Sequence, residues 1–368
     1  MKNLLQHLAA IKDKGYQQAF ALPGDFYTDP QWTEVERKQL FHGKWVCVGR
    51  IEEVQNKGDY MAVDLAGEPV VVVHGLDGSI RALSNVCRHR GTVIATGKGN
   101  AKSLLCPYHH WAYDTEGKLV NAPMINADRP ADLSGCRLPG LGCMLWQGFV
   151  FVNIDATARD LITELEPLQQ IIGHYHLEQM HLHYLEEVTW HVNWKSLVEN
   201  FMEGYHLSPL HRSTLHKVNP TSLCQHIEPG KNYFGYKVGF TSRLPEERIG
   251  HADLTDQEMD TCVMFAVPPG LTVGIGSDYS SFLCIQPRGP HQVRVKMGLI
   301  FHGEHWSDKQ VDAAVKLFKD TMDEDKAVLL QVQQGMHSGL YQPGPLAPKD
   351  LEGTIWDFHQ YLSRTIKA

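Results

Sequence analysis

The spacing of apolar and polar positions along the chain changes near residue 45 and again near residue 155. Residues 4–20 and 29–46 repeat apolar positions at roughly helical spacing, and Asp29 followed by Pro30 is a typical helix start. Both segments are therefore predicted to be helical.

Between residues 45 and 155, short runs of β-branched and apolar residues alternate with Gly-Asp, Gly-Lys and Asp-Gly turns. This pattern is typical of a small all-β domain. Two segments within it, at about residues 84–97 and 104–126, are rich in Cys, His and Pro and are predicted to be long loops. The predicted strands are Trp45–Val48, Tyr60–Val63, Pro69–His74, Ile80–Leu83 and Gly148–Ile154.

After residue 155 the pattern becomes mixed. A polar helical stretch at residues 158–175 precedes a strand at Glu186–His191, a helix that begins at Trp194, further strands, and a long C-terminal helix at about Ser307–Gly335. The predicted fold class is therefore α+β. The further strands are predicted at Tyr233–Phe240, Leu271–Gly274, Phe282–Gln286 and Val293–Phe301.

Composition excludes several classes of partner. The chain has 368 residues and a net charge of −8, with no cluster of cations interleaved with aromatics, so nucleic acid is not an expected partner. No window approaches the ~18 consecutive apolar residues of a spanning helix, so we expect no membrane association and a cytoplasmic location. The 8 cysteines are too sparse for a disulfide scaffold, whereas the 21 histidines raise the expectation of metal chemistry.

Each of the two predicted loops carries a motif that combines a thiol with an imidazole: Cys87-Arg-His89-Arg-Gly and Cys106-Pro-Tyr-His109-His-Trp. One such pair would be weak evidence, because a free cysteine is usually a small buried hydrophobe, but two pairs in one β domain are much stronger. A structural zinc site takes the same ligands and is the alternative. Because each loop carries one Cys and one His, the arrangement favours a two-iron cluster with both cysteines on one iron and both histidines on the other.

A second group of acidic and imidazole side chains lies in a segment with helix-compatible periodicity. Glu199, Glu203 and His206 stand at positions i, i+4 and i+7 and are predicted to share one helix face. Pro209 is expected to end or bend this helix, which would bring His211 back toward His206. Surface histidines in a loop are the alternative.

Two imidazoles need one carboxylate to complete the set that non-haem Fe(II) uses to keep positions open for O₂ and substrate. The long C-terminal helix offers Asp320, Asp323, Glu324 and Asp325. A run of acids is normally a solvated helix face, but Asp325 precedes the apolar residues Ala327–Leu330, which indicates that its turn packs inward. We therefore favour Asp325 over Asp323 as the third ligand.

Together the two motifs resemble those of the catalytic (alpha) subunits of Rieske non-haem iron oxygenases. Where the family has glycine after the second Rieske histidine, this chain has His110, and the Cys-x₂-His spacing selects His109 as the ligand. The resemblance covers both predicted domains. It implies an all-β Rieske domain at residues 45–155 and a helix-grip (START-like) catalytic domain at residues 156–368, with an antiparallel sheet and a long C-terminal helix. An N-terminal helical segment at residues 1–44 would pack on the catalytic domain.

The resemblance also implies the roles of the site residues. It assigns a [2Fe–2S] cluster to Cys87, His89, Cys106 and His109, and a mononuclear Fe(II) to His206, His211 and Asp325. The acid at position 203 would bridge the cluster histidine of one subunit to the iron-ligating histidine of its neighbour, in a head-to-tail homotrimer. Most members have aspartate where this chain has Glu203, and the glutamate variant resembles the branch that oxidises quaternary ammonium compounds such as carnitine and betaines. Asn200 matches a family position near the iron and is a candidate catalytic residue, with a helix-surface amide as the alternative.

The expected function is the terminal oxygenase component of a multi-component system that hydroxylates a small substrate with O₂. Electrons would come from a separate NAD(P)H-dependent reductase, because the chain has neither a dinucleotide fingerprint nor a Walker motif. A quaternary ammonium substrate would undergo N-demethylation or C–N cleavage, and ring hydroxylation of an aromatic acid is the alternative. A non-catalytic [2Fe–2S] electron carrier is the alternative of another class. Four aromatic residues are candidates for a cation–π pocket, with core packing as the alternative: Tyr205, Phe265, Tyr279 and Phe282.

Overall fold

The computed structural model describes residues 2–12, 14–125, 132–133, 135–155, 160–241, 249–304 and 306–367. They form two compact units. The first, here called the β unit, spans His42–Arg159, and the second, here called the mixed unit, combines Met1–Phe41 with Asp160–Ala368. No helix among the described residues is both long and apolar enough to cross a membrane.

The β unit consists of short antiparallel strands. Within the described ranges, one sheet has seven strands in the order β1-β10-β9-β4-β3-β2-β5, and a second has three in the order β6-β7-β8. Ala66 and Gly67 join β2 to β3 with φ angles of 48° and 91°, as a tight hairpin with the twist of its strands requires. The strands are β1 (Val46–Arg50), β2 (Asp59–Leu65), β3 (Glu68–His74), β4 (Ile80–Ser84), β5 (Lys98–Asn100), β6 (Ser103–Leu105), β7 (Ala112–Asp114), β8 (Leu119–Asn121), β9 (Gly140–Trp146) and β10 (Phe149–Asn153).

The mixed unit is built on an antiparallel sheet whose strands follow the order β11-β17-β16-β15-β14-β13-β12. The central strands β15, β16 and β17 are buried along nearly their whole length. The strands are β11 (His181–Trp190), β12 (Cys224–Ile227), β13 (Phe234–Gly239), β14 (Thr261–Val267), β15 (Leu271–Ile275), β16 (Tyr279–Pro287) and β17 (Val293–Phe301).

Two long C-terminal helices pack on this unit. Helix α8 contacts β11 and α5, and α9 contacts β12, β13 and the N-terminal helix α1. The Gln360 side-chain amide donates a 2.7 Å hydrogen bond to the Ile11 carbonyl, which ties α1 to α9. The helices are α1 (Lys2–Ile11), α2 (Asp25–Thr28), α3 (Pro30–Glu36), α4 (Leu161–Ile172), α5 (Trp194–Phe201), α6 (Leu207–Leu210), α7 (Asp256–Met259), α8 (Asp308–Met336) and α9 (Lys349–Thr365).

The predicted α+β class, with its all-β part and its antiparallel sheet and long helix, is confirmed. The first predicted helix is wrong in length, because α1 ends at Ile11 and is followed only by a 3₁₀ turn at Tyr16–Gln18. Gly15 lies between them, and glycine disfavours a continuous helix. The second begins where predicted, because the Asp29 carboxylate accepts the Gln31 amide at 2.7 Å. The predicted loops also contain short strands, among them β6 and β7.

Candidate metal centres

The two Cys/His loops of the β unit have the same backbone geometry. In each, the cysteine carbonyl accepts a hydrogen bond from the amide four residues later, Gly91 to Cys87 and His110 to Cys106, both at 3.0 Å. The donor residue has positive φ in both loops, 75° at Gly91 and 56° at His110. Glycine adopts this conformation freely, and histidine is one of the few other residues enriched in it. His110 therefore takes a backbone role that suits glycine, and its side chain is exposed.

The thiols of these loops are buried, whereas the imidazoles lie at the surface. Cys87 and Cys106 are 3% and 1% exposed, in one apolar cluster, while His89 is exposed and His109 half-buried, with ring centroids 4.6 Å apart. A single zinc would require all four ligand atoms around one centre. In the part of the chain that the structure describes, no three of these four side chains bring their ligand atoms within 4.8 Å of one another. The separation of a thiol side from an imidazole side fits a two-iron cluster.

Neighbouring aromatic residues contact the predicted cluster ligands. The Tyr113 hydroxyl lies 3.4 Å from Cys87 Sγ and accepts the Arg88 amide at 3.0 Å. The Trp111 ring is stacked on His89, with centroids 4.8 Å apart and an interplanar angle of 6°. Tyr113 was not among the predicted site residues, because residues 104–126 were predicted to be a loop, whereas Tyr113 lies in the buried strand β7. Such contacts around ligand atoms orient them and tune the bound metal.

In the mixed unit, the predicted shared helix face of Glu199, Glu203 and His206 is wrong. Helix α5 ends at Phe201, because Met202 leaves the helical region with φ −102° and ψ 26°. The Glu199 carboxylate accepts a 2.7 Å hydrogen bond from the Tyr27 hydroxyl. Glu199 thus belongs to a different hydrogen-bonded group from Glu203 and His206.

The expected effect of Pro209 is also wrong in its detail. The chain breaks before His206, and Pro209 lies within α6 (Leu207–Leu210), where the first turn tolerates a residue without an amide hydrogen. His206 immediately precedes α6 and His211 immediately follows it. The two rings nevertheless approach each other as expected, with centroids 5.0 Å apart.

Asp325 on α8 completes a three-residue group with these histidines. Its Oδ1 atom lies 3.1 Å from His211 Nε2 and 3.6 Å from His206 Nε2, and the three ligand atoms lie within 4.8 Å of one another. Asp325 is 5% exposed, whereas Asp323 is exposed. The structure therefore brings together the set favoured from the sequence. Its occupation by iron stays a prediction.

The hydrogen bonding of this group fits a bound cation. Within the described residues, His211 Nε2 and Asp325 Oδ1 are buried and make no hydrogen bond. Buried polar atoms without partners are costly, and a cation between them would satisfy both. Burial lowers the pKa of His206, but the charges of Glu203 and Asp325 outweigh burial and raise this pKa above its ordinary value. The group favours positive charge, and its two-His, one-carboxylate composition is the one that holds Fe(II) with open positions.

Each of the two imidazoles also contacts a carboxylate through its other nitrogen. Glu203 Oε1 accepts from His206 Nδ1, and Glu324 Oε2 lies 2.7 Å from His211 Nδ1. The Thr214 hydroxyl donates to the same Glu324 oxygen at 2.7 Å. Carboxylates in this position fix the tautomer and orientation of ligating histidines. From the sequence, Glu324 was only a candidate ligand, and nothing in the local pattern indicated its position behind His211.

A cavity of about 380 Å³ opens beside the three-residue group. Its wall includes Asn200, so this predicted residue lies at the cavity rather than on the helix surface alone. Of the four predicted pocket aromatics, only Tyr279 lines the cavity. Phe265 and Phe282 are fully buried in the sheet, and Tyr205 is 53% exposed. Other rings in the wall are Phe201, Tyr236, Phe240 and Phe318.

Comparisons with known proteins agree with these two centres. The family model described as "Rieske [2Fe-2S] domain" matches residues 44–137, and "Ring hydroxylating alpha subunit (catalytic domain)" matches residues 176–368. An electron carrier would have no use for the second domain. The match therefore contradicts the electron-carrier alternative.

Curated relatives are similar over nearly the whole chain. The carnitine monooxygenase oxygenase subunit of Escherichia coli (strain K12) is 34% identical, over 95% of this chain and 95% of that protein. The glycine betaine monooxygenase oxygenase subunit of Chromohalobacter salexigens is 26% identical, over 98% of this chain and 90% of that protein. The fold is similar to the crystal structure of the quaternary ammonium Rieske monooxygenase CntA in complex with an inhibitor, with a TM-score of 0.83, 24% identity, and coverage of 99% of this chain and 98% of that chain.

The domain matches confirm the expected cofactors, a Rieske [2Fe–2S] cluster and a mononuclear iron. They also confirm the expected enzyme class, an oxidoreductase that uses non-haem iron. The chain belongs to the Rieske non-haem iron oxygenases, as a catalytic (alpha) subunit.

Proposed function

We propose that this chain is the terminal oxygenase of a system that hydroxylates a quaternary ammonium compound. The observation that carries the proposal is a pair of buried atoms, His211 Nε2 and Asp325 Oδ1, that lie 3.1 Å apart and make no hydrogen bond within the described residues. Both residues line the 380 Å³ cavity. In this proposal His206, His211 and Asp325 hold the iron. The cluster ligands are Cys87, His89, Cys106 and His109.

When bound, the iron would supply O₂ activation for hydroxylation, with electrons that enter through the Rieske cluster. The protein's own contribution is to leave coordination positions open toward the cavity and to hold the ligands still. In this proposal the electrons come from a separate NAD(P)H-dependent reductase. Because NAD(P)H is a cytoplasmic reductant, this partner favours a cytoplasmic location for the oxygenase. Asn200, in the cavity wall, is placed to orient the substrate or the incoming oxygen.

Glu203 is proposed to link neighbouring subunits of a homotrimer. One oxygen of its carboxylate accepts from His206 Nδ1, and the other accepts the His206 amide at 3.1 Å. The side chain keeps 11% of its surface exposed, so a cluster histidine of a neighbouring subunit, matching His109, can reach it. A carboxylate shared by two imidazoles orients both rings and holds a proton between the centres.

The cavity wall favours a cationic substrate over an aromatic acid. It contains several aromatic rings and the carboxylate of Asp278, and no Lys or Arg among the described lining residues. Aromatic faces and a carboxylate attract the positive charge of a quaternary ammonium group, and an aromatic acid carries no such charge. The two curated relatives named above are described as acting on carnitine and glycine betaine. Hydroxylation of a carbon bonded to nitrogen gives an unstable product whose C–N bond breaks. Hydroxylation of an N-methyl group therefore releases formaldehyde, and hydroxylation of the nitrogen-bearing carbon of the longer substituent releases trimethylamine.

Reductase-coupled turnover under O₂ tests the proposal. L-carnitine, glycine betaine and benzoate are supplied separately, and formaldehyde, trimethylamine and hydroxybenzoates are measured. We expect C–N cleavage products from an ammonium substrate. We also expect a much higher KM for its tert-butyl analogue, in which carbon replaces the quaternary nitrogen, so that the positive charge is lost and the shape is kept. Product from benzoate alone would contradict the ammonium proposal and favour the aromatic alternative. Loss of cation selectivity in Tyr279→Leu, but not in Tyr205→Leu outside the cavity, would identify the ring that contacts the substrate.

A further inference from the structure

A second cluster of imidazole and carboxylate groups lies in the mixed unit. His176 stands between two 3₁₀ turns after α4, and His251 and Asp253 precede α7. The ligand atoms of the three side chains all lie within 4.8 Å of one another. We propose that this cluster is a binding site for a divalent transition-metal ion, with zinc as the preferred occupant.

The distances within the cluster are close to those of a metal-ligand set. Asp253 Oδ2 lies 2.8 Å from His176 Nε2 and 3.5 Å from His251 Nδ1, and the two imidazole centroids are 3.9 Å apart. One carboxylate therefore faces both rings. Without a metal, Asp253 Oδ2 pairs with His176 Nε2, and the Asp253 amide donates to His251 Nδ1 at 3.2 Å. A bound metal would replace these two hydrogen bonds.

The donor atoms select the class of ion. Calcium and magnesium require six or more oxygen ligands, which two imidazoles and one carboxylate do not provide. Zinc binds imidazole nitrogen and carboxylate oxygen at about 2.0–2.2 Å and accepts three protein ligands plus a water. The same three donors also accept nickel or copper, which compete at this kind of site by availability.

Further polar groups surround the cluster, and an isolated surface ion pair would not need them. Glu178 Oε1 and Gln179 Nε2 lie 3.4 and 3.3 Å from His176 Nδ1, the nitrogen that does not face Asp253. A polar group behind a ligating imidazole fixes its tautomer and orientation. His302 is a further imidazole, with its ring centroid 5.7 Å from that of His251. Its Nδ1 is buried and makes no hydrogen bond within the described residues.

The cluster is connected to the cavity wall through the backbone. The His302 amide donates a 2.8 Å hydrogen bond to the Asp278 carbonyl, and Asp278 and Tyr279 both line the cavity. A metal that joins His176 to the segment before α7 would therefore stabilise the structure beside the cavity. Binding to the folded state alone raises the unfolding temperature as metal is added.

Zinc titration of the iron-loaded protein tests the proposal. Zinc and iron are both counted after removal of loosely bound ions, for the wild type, His176→Asn, His251→Ala and the control His191→Asn. Asparagine suits position 176 because it tolerates the left-handed backbone, φ 47° and ψ 55°, and His191 is an exposed histidine outside the cluster. We expect one zinc per wild-type and control chain without iron loss, a raised unfolding temperature, and affinity at least about tenfold weaker in the two cluster variants.

Two results would overturn the proposal. One is zinc uptake matched by an equal loss of iron, which would place zinc at the iron ligands. The other is unchanged zinc affinity in both cluster variants. If a variant does not fold, anomalous diffraction at the zinc edge from wild-type crystals decides the question: a peak bonded to His176, His251 and Asp253 supports the site, and its absence from a zinc-soaked crystal contradicts it.

Discussion

Three consecutive acids on α8 have three different environments, which gives a sharp prediction. Asp323 is exposed, Glu324 contacts the far nitrogen of His211, and Asp325 faces the near nitrogens of both histidines. Their replacement by alanine, one at a time, keeps the helix and changes only the side chain. We expect no effect on iron for Asp323→Ala, weakened binding for Glu324→Ala, and loss of the mononuclear iron for Asp325→Ala.

The magnitude for Glu324→Ala follows from the burial of His211. This histidine is fully buried, and its 2.7 Å contact with Glu324 is the hydrogen bond that satisfies Nδ1. Loss of that partner leaves a buried donor unsatisfied, at a cost of about 1–3 kcal/mol. Removal of the carboxylate behind a ligating histidine typically weakens metal affinity by about 10–100-fold. Since tenfold equals about 1.4 kcal/mol, the two estimates agree.

Iron content and visible absorption measure these effects separately. The wild type should hold about three irons per chain, two in the cluster. Asp325→Ala should hold about two with the Rieske absorption unchanged, and Glu324→Ala should recover the third iron only at 10–100-fold higher free Fe(II). Equal iron affinity in Glu324→Ala and Asp323→Ala would refute the supporting role of Glu324. Loss of iron in Asp323→Ala would refute the ligand assignment.

Three further predictions concern other parts of the mixed unit. Glu203→Gln should keep both metal centres but slow coupled turnover with little change in KM, and loss of the Rieske absorption would contradict the proposed bridging role. Lys195 and Glu36 form a fully buried ion pair at 2.7 Å. Lys195→Met leaves the Glu36 charge buried without its partner, so it should lower the free energy of unfolding by about 3–5 kcal/mol in denaturant titrations, and adding Glu36→Gln should recover part of this loss. Burial lowers the pKa of His7 below 6.5, so the unfolded chain binds more protons below that pH and stability falls as the pH falls. His7→Gln should flatten this slope in thermal unfolding, and an unchanged slope would exclude His7 as its source.

The cluster loops could be predicted because their information is local. Each loop contains its thiol, its imidazole and its turn residue within five positions, and the backbone hydrogen bonds from Gly91 to Cys87 and from His110 to Cys106 close each loop on itself. The positive φ of His110 could not be derived in the same way. Histidine can adopt a positive φ, as His110 does, but its presence in a sequence does not predict one. Glycine at that position would have predicted it.

The sequence indicated that His206, His211 and Asp325 come together, but not the local structure that brings them together. Helical periodicity suggested one continuous helix through Glu203 and His206, yet α5 ends at Phe201 and tertiary contacts decide the rest. Glu199 illustrates the difficulty, because its partner Tyr27 is 172 residues away in sequence. Asp325 was distinguishable from Asp323 only by the apolar residues that follow it. The position of Glu324 behind His211 depends on packing that no local pattern records.

Glutamate at position 203, where the resemblance to the family implies aspartate, adds one rotatable bond to a side chain that must stay oriented for the proposed bridge. Hydrogen bonds to both carboxylate oxygens remove that freedom, and a further bond fixes the main chain of the same residue. Glu203 Oε1 accepts from His206 Nδ1, Oε2 accepts the amides of Tyr205 and His206, and the Glu203 carbonyl accepts the Tyr236 hydroxyl at 3.1 Å. Because the amides anchor Oε2 from the same chain, the extra methylene allows the carboxylate to fold back on its own turn and still face the imidazole. The longer side chain is therefore compatible with a fixed bridge, and the hydrogen bonds that hold it come from the turn between α5 and α6.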